Sequence, residues 1–196
     1  KLYQNNPTML ESSLKMYNEK VRLMEKSIDK PYFARIDFLR DKGELEKLYI
    51  GKVGVMDEDS KNITIDWRAP ISSIYYDSNI GETSYDAPEG KCHGKLLLKR
   101  QYEIENQILK SFQDVDTVSN DELLKPYLPP PHPHTHKNIV STIQSEQNKI
   151  IREKLGKNMI IQGVAGSGKT TVSLHRIAYL VYNNREIYRP SDYMVI

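Results

Sequence analysis

Residues 163–170 run Gly-Val-Ala-Gly-Ser-Gly-Lys-Thr, which satisfies the G-x-x-x-x-G-K-[ST] pattern without departure. Glycines at that spacing let successive backbone N–H groups turn inward with no Cβ in the way. The N-terminus of a following helix adds partial positive charge. The flanks suit such a loop. Residues 158–162 are a short apolar run that reads as a buried strand, and residues 171–182 carry apolar side chains at helical spacing. Gly163, Ala165, Gly166, Ser167, Gly168, Lys169, Thr170 and Thr171 are therefore the candidate contacts for the phosphates of ATP. Lys169 would reach the β- and γ-phosphates and the Thr170 hydroxyl would ligate Mg²⁺, which makes these two the candidate catalytic residues as well. The competing reading is a glycine-rich turn that happens to precede a Lys-Thr pair. Such a turn needs neither a strand before it nor an amphipathic helix after it.

With 28 basic and 26 acidic residues among 196, the net charge is +2, so any basic groove for nucleic acid must be local. The single cysteine, Cys92, leaves no internal disulfide and fits a reducing compartment. No apolar run approaches the ~18 residues a spanning helix needs, and no signal-peptide pattern opens the chain. A cytoplasmic protein without a membrane partner is expected. Both ends read as cut: the chain opens on Lys1, and Tyr193-Met194-Val195-Ile196 has the composition of a strand. No apolar strand ending in Asp or Glu follows Lys169, although a P-loop ATPase uses one to organise Mg²⁺ and the attacking water. A fragment holding part of an ATPase site is expected.

Four segments follow from the patterning. Leu10, Leu14, Tyr17, Val21, Met24 and Ile28 are spaced by four and three residues, a heptad seam on a helix capped at Asn6-Pro7 and ended by Asp29-Lys30-Pro31. Residues 1–30 therefore read as the base of a coiled-coil arm. Residues 31–128 read as an antiparallel β-rich region with short helices. Strands are expected over 48–55, 63–67, 71–76, 83–85 and 95–99, with turns at 57–62, Gly81 and Pro88-Glu89-Gly90. In the second of these five, Ile63, Ile65 and Trp67 take the buried face and Thr64, Asp66 and Arg68 the solvent face. Residues 102–112 favour helix. Residues 129–137 form a Pro/His linker whose His132, His134 and His136 read as a solvated loop, since a flexible prolyl segment gives no fixed metal geometry. Residues 138–196 begin with a helix that runs to Leu155, stops at Gly156 and leads into the loop.

The fold class expected is thus α/β: the start of a P-loop (RecA-like) NTPase domain, preceded by a coiled-coil helix and a small antiparallel β region. The loop followed by His175-Arg176-Ile177-Ala178-Tyr179-Leu180 resembles the UvrD/Rep group of superfamily 1 helicases. In that group a glutamine just upstream contacts the adenine edge. Thr142-Ile143-Gln144-Ser145-Glu146-Gln147-Asn148 looks like that motif, with Gln147 in place and Gln144 as the alternative. A Gln amide matches adenine N6 and N7 bidentately. Two blocks ahead of the loop, Tyr32-Phe33-Ala34-Arg35-Ile36-Asp37-Phe38 and Asp66-Trp67-Arg68-Ala69-Pro70, are foreign to that group. With the arm, they make the chain similar to HelD, the helicase-like ATPase associated with bacterial RNA polymerase.

That resemblance covers nearly all of the chain except residues 129–136. It implies binding to RNA polymerase and removal of nucleic acid from stalled or idle enzyme, with ATP hydrolysis supporting release. It assigns no chemistry to Asp66-Trp67-Arg68, which reads as a buried Trp67 beside a surface ion pair. The alternatives are a polymerase-binding module in which nucleotide only sets conformation, and a conventional UvrD/Rep-like DNA helicase. A small-molecule kinase fits poorly with a heptad arm and a period-two region ahead of the loop.

Overall fold

The computed structural model describes residues 7–115, 146–156 and 158–194. The chain starts with α1, Pro7–Ser27, a 21-residue helix with proline at its first position, where the missing N–H costs nothing. A turn closes its end, the Lys30 N–H donating to Ser27 O at 3.1 Å. Of the heptad residues, Leu10, Leu14, Tyr17 and Ile28 are exposed, and Val21 and Met24 are half-buried.

Seven strands then form one mixed but mostly antiparallel sheet: β1 (Ala34–Arg40), β2 (Leu45–Gly51), β3 (Val55–Met56), β4 (Asn62–Asp66), β5 (Gly81–Ala87), β6 (Gly90–Glu105) and β7 (Ile108–Asp114). The order is β3-β4-β2-β1-β6-β5, with β7 also on β6. The pairing of β2 with β4 is parallel, Ile50 opposite Ile65. β6 is long enough to pair with β5 along its first half, with β7 along its second and with β1 across its middle. Alternating Ala34, Ile36 and Phe38 of central β1 are fully buried, with Phe33, Ile50, Leu96, Ile74 and Tyr75 around them. β1 forms the centre of the core.

Several expectations are corrected. Residues 102–112 are not a helix; they belong to β6 and β7, joined by Asn106-Gln107 with φ of 49° and 67°. Both residues sit in the left-handed region of a tight hairpin turn, and the Gln107 N–H donates to Asp29 O at 3.0 Å. Residues 71–76 are not a strand. A 3-10 turn, Pro70–Ser72, leads directly into the short helix α2, Ser73–Asp77. Pro70 presets the helical φ, and the Ser73 hydroxyl donates to Pro70 O. Gly81 opens β5 instead of forming a turn, whereas Pro88-Glu89 does turn the chain between β5 and β6.

In β4 the two faces are exchanged. Ile63 is 53% exposed, while Thr64 and Asp66 are buried. Thr64 is satisfied there: its Oγ1 donates to Val53 O at 2.9 Å and accepts from the Val55 N–H.

The helix expected up to Leu155 is described over 146–152 and is called α3 here; it ends at Arg152, four residues before Gly156. Residues 158–162 are not in a strand, and Ile160 is 88% exposed, because no described strand lies alongside to take its backbone hydrogen bonds. Tyr193 and Met194 are likewise irregular. Asn6, Gln144, the linker with His132, His134 and His136, and Val195-Ile196 lie outside the described residues. The last helix, α4, spans Lys169–Asn183.

Candidate functional site

The glycine-rich loop runs directly into α4. Gly166 and Gly168 have φ of 78° and 81°, a backbone that L side chains rarely adopt. A Cβ on Gly163 would lie 2.6 Å from Ser167 Oγ, so a side chain there would force the Ser167 hydroxyl to turn away. The Ser167 N–H donates to Val164 O, and the Val172 N–H donates to Gly168 O at 2.9 Å to close the first helical turn. Gly166, Gly168, Lys169, Thr170 and Thr171 line a cavity of about 300 Å³. Gly163, Ala165 and Ser167 build the loop behind it. The Lys169 ammonium points back, donating to Gly163 O at 3.0 Å and Val164 O at 2.8 Å.

Gln147, on α3, meets this loop from the side. Its Nε2 donates to Ser167 O at 3.1 Å and lies 3.4 Å from where a Gly168 Cβ would sit. The residue is 8% exposed, and its Oε1 is buried without a hydrogen-bond partner. Half of its amide is thus committed to the loop backbone and half is unsatisfied.

The Asp66-Trp67-Arg68 block has a role that the sequence did not disclose. The Asp66 carboxylate accepts the Arg68 backbone N–H at 2.9 Å, and the guanidinium through Nε at 2.8 Å and Nη2 at 2.7 Å. The pair is not on the surface as expected: the Asp66 side chain is 4% exposed. From there the block touches both helices of the loop. Arg68 lies over the Tyr182 ring at 4.6 Å, and Asn183 Nδ2 donates to Arg68 O. Trp67 meets His175 edge to face at 5.6 Å, and Trp67 O accepts from Arg152 Nη2 at 2.6 Å. Burial pushes the His175 imidazole below its ordinary pKa, and its Nδ1 has no hydrogen-bond partner. Arg176 on α4 donates to the carbonyls of Ile150, Ile151 and Glu153, the orphan acceptors at the end of α3. The end of α3 is thereby capped by a side chain of α4.

Among the described residues no group of three or more His, Cys, Asp and Glu side chains could hold a metal. The hydroxyl of Thr170, beside the cavity, remains the candidate Mg²⁺ ligand.

The arrangement defines a class first: a mostly antiparallel sheet that seats a glycine-rich loop and its helix. The family model described as DNA helicase IV HelD, N-terminal domain, matches residues 4–123, and the chain belongs to that family. The match spans α1 and the whole sheet; the loop, α3 and α4 follow it. No curated protein matches the chain.

Proposed function

We propose that the chain is the nucleotide-binding N-terminal part of a HelD-type, helicase-like ATPase that associates with bacterial RNA polymerase and helps release it from nucleic acid. One observation carries this: a loop of left-handed glycines opening into α4, with a buried, half-satisfied glutamine amide beside it. The residues fit Mg·ATP. A Cβ on Gly163 would crowd Ser167 Oγ, and the cavity is lined by backbone, Lys169 and two threonines. Gly166, Gly168, Lys169, Thr170 and Thr171 would hold the phosphates, Thr170 the Mg²⁺ and Gln147 the adenine edge. Bound ATP would supply the phosphoanhydride whose hydrolysis drives release. Lys169 must first leave Gly163 O and Val164 O, and Gln147 must turn its amide toward the base. The family supports the polymerase and nucleic acid as partners, and this reading places the protein in the cytoplasm. Among the described residues no helix is long and apolar enough to cross a membrane.

Calorimetric titration tests the nucleotide reading. Lys169→Ala should weaken Mg·ATP at least about tenfold, near 1.4 kcal/mol. Gln147→Ala should cost ATP on the order of 1–3 kcal/mol and GTP less. Undiminished ATP binding by Lys169→Ala would remove the proposal. The contacts that tie α3 and α4 to the sheet favour a second reading, in which nucleotide only switches conformation. Polymerase capture that survives Lys169→Ala, with no ATP turnover by the intact factor, would support it.

A further inference from the structure

α3 is gripped from several sides: Arg176 of α4 holds the carbonyls of Ile150, Ile151 and Glu153, and two of the helix's own side chains reach outward. At one end Gln147 holds the loop through Ser167 O. At the other, Arg152 holds the sheet through Trp67 O, a contact across 85 residues of sequence. The two are five residues apart, about 7.5 Å along the helix axis. The guanidinium of Arg152 lies over the rings of Tyr76 at 4.8 Å and Tyr179 at 5.2 Å, and its buried Nε and Nη1 have no hydrogen-bond acceptor. Ring faces partly replace the lost hydration there. A lysine keeps the charge but cannot stack as a plane while donating sideways.

We infer that Arg152 is a positioning residue: by fixing α3 on the Trp67 carbonyl it sets where the Gln147 amide stands against the loop, and hence adenine selectivity. The selectivity rests on the nucleotide reading above; the mechanical link does not. A shift of the Arg152 end is passed along a rigid helix to Gln147, and Ser167 O then loses its donor. The sheet thereby becomes part of the nucleotide site without touching nucleotide.

Two measurements on the whole chain test this. The first is amide hydrogen exchange without nucleotide. Arg152→Lys should leave β1 and β6 protected while exchange of the Ser167 amide, which donates to Val164 O, rises about fivefold or more. The second is calorimetry with ATP and GTP, in which Arg152→Lys should bring the ATP-to-GTP affinity ratio toward that of Gln147→Ala. A residue that only stabilises the fold would lower the melting temperature and leave that ratio unchanged. If Arg152→Lys fails to fold, Tyr179→Leu removes one of the two rings beneath the guanidinium and should produce the same loop exchange in weaker form. Unchanged exchange of the Ser167 amide in a folded variant would overturn the inference. A wild-type chain that binds neither nucleotide would overturn the selectivity and the nucleotide reading, while the exchange result still decides the link.

Discussion

Thr64 and Ile63 separate polarity from burial. The hydroxyl of Thr64 serves two backbone groups, Val53 O and the Val55 N–H, whereas Ile63 presents its side chain to solvent. Thr64→Val should therefore cost about 1–3 kcal/mol in urea denaturation, and Ile63→Thr less than about 0.5 kcal/mol. The reverse order would mean that β4 has the face assignment its hydropathy suggests. His175 gives a second test. Its folded pKa is depressed by burial, so the unfolded chain takes up a proton first as pH falls. Its contribution to stability is complete above its ordinary value near 6.5 and declines below it. Unfolding midpoints should drop as pH falls below about 6.5 in the wild type, and His175→Phe should flatten that slope. An identical slope in the variant would assign the titration elsewhere.

At the scale of elements, what repeats locally was legible and what depends on distant partners was not. The heptad spacing placed α1 within a residue or two, and the turn at 57–62 holds, the Lys61 N–H donating to Asp57 Oδ1 at 2.8 Å. The β6–β7 hairpin was hidden because Asn106-Gln107 lacks the glycine that marks such turns. That absence is testable: Gln107→Gly relieves a left-handed backbone and should stabilise the chain by about 1 kcal/mol. A destabilised variant would show that the Gln107 side chain matters more than its φ. The seam of α1 makes a further prediction. Leu10, Leu14 and Tyr17 are each at least half exposed, and burying such a side chain gains roughly 1.5–3 kcal/mol. Sedimentation should reveal concentration-dependent self-association that Leu14→Glu abolishes. A monomer at high concentration, unaffected by Leu14→Glu, would remove the seam as a contact surface.

Across the whole molecule, the glycine-rich loop was plain in the sequence, and its seat was not. The bonds that make the seat end on the backbone carbonyls of Trp67 and Arg68, which no side-chain pattern announces, and they reach back across 85 and 115 residues. Asp66-Trp67-Arg68 gave a composition without a role until α3 and α4 were placed against it. The same separation fixes an order of events during synthesis. Among the described residues the strand pairings close within residues 34–114, whereas α4 begins at Lys169. At ribosomal speeds of roughly 5–20 residues per second, the surface that receives α4 has several seconds to form before Lys169 is made. The nascent loop and α4 then meet a finished template, so their placement waits on the folding of the first half of the chain.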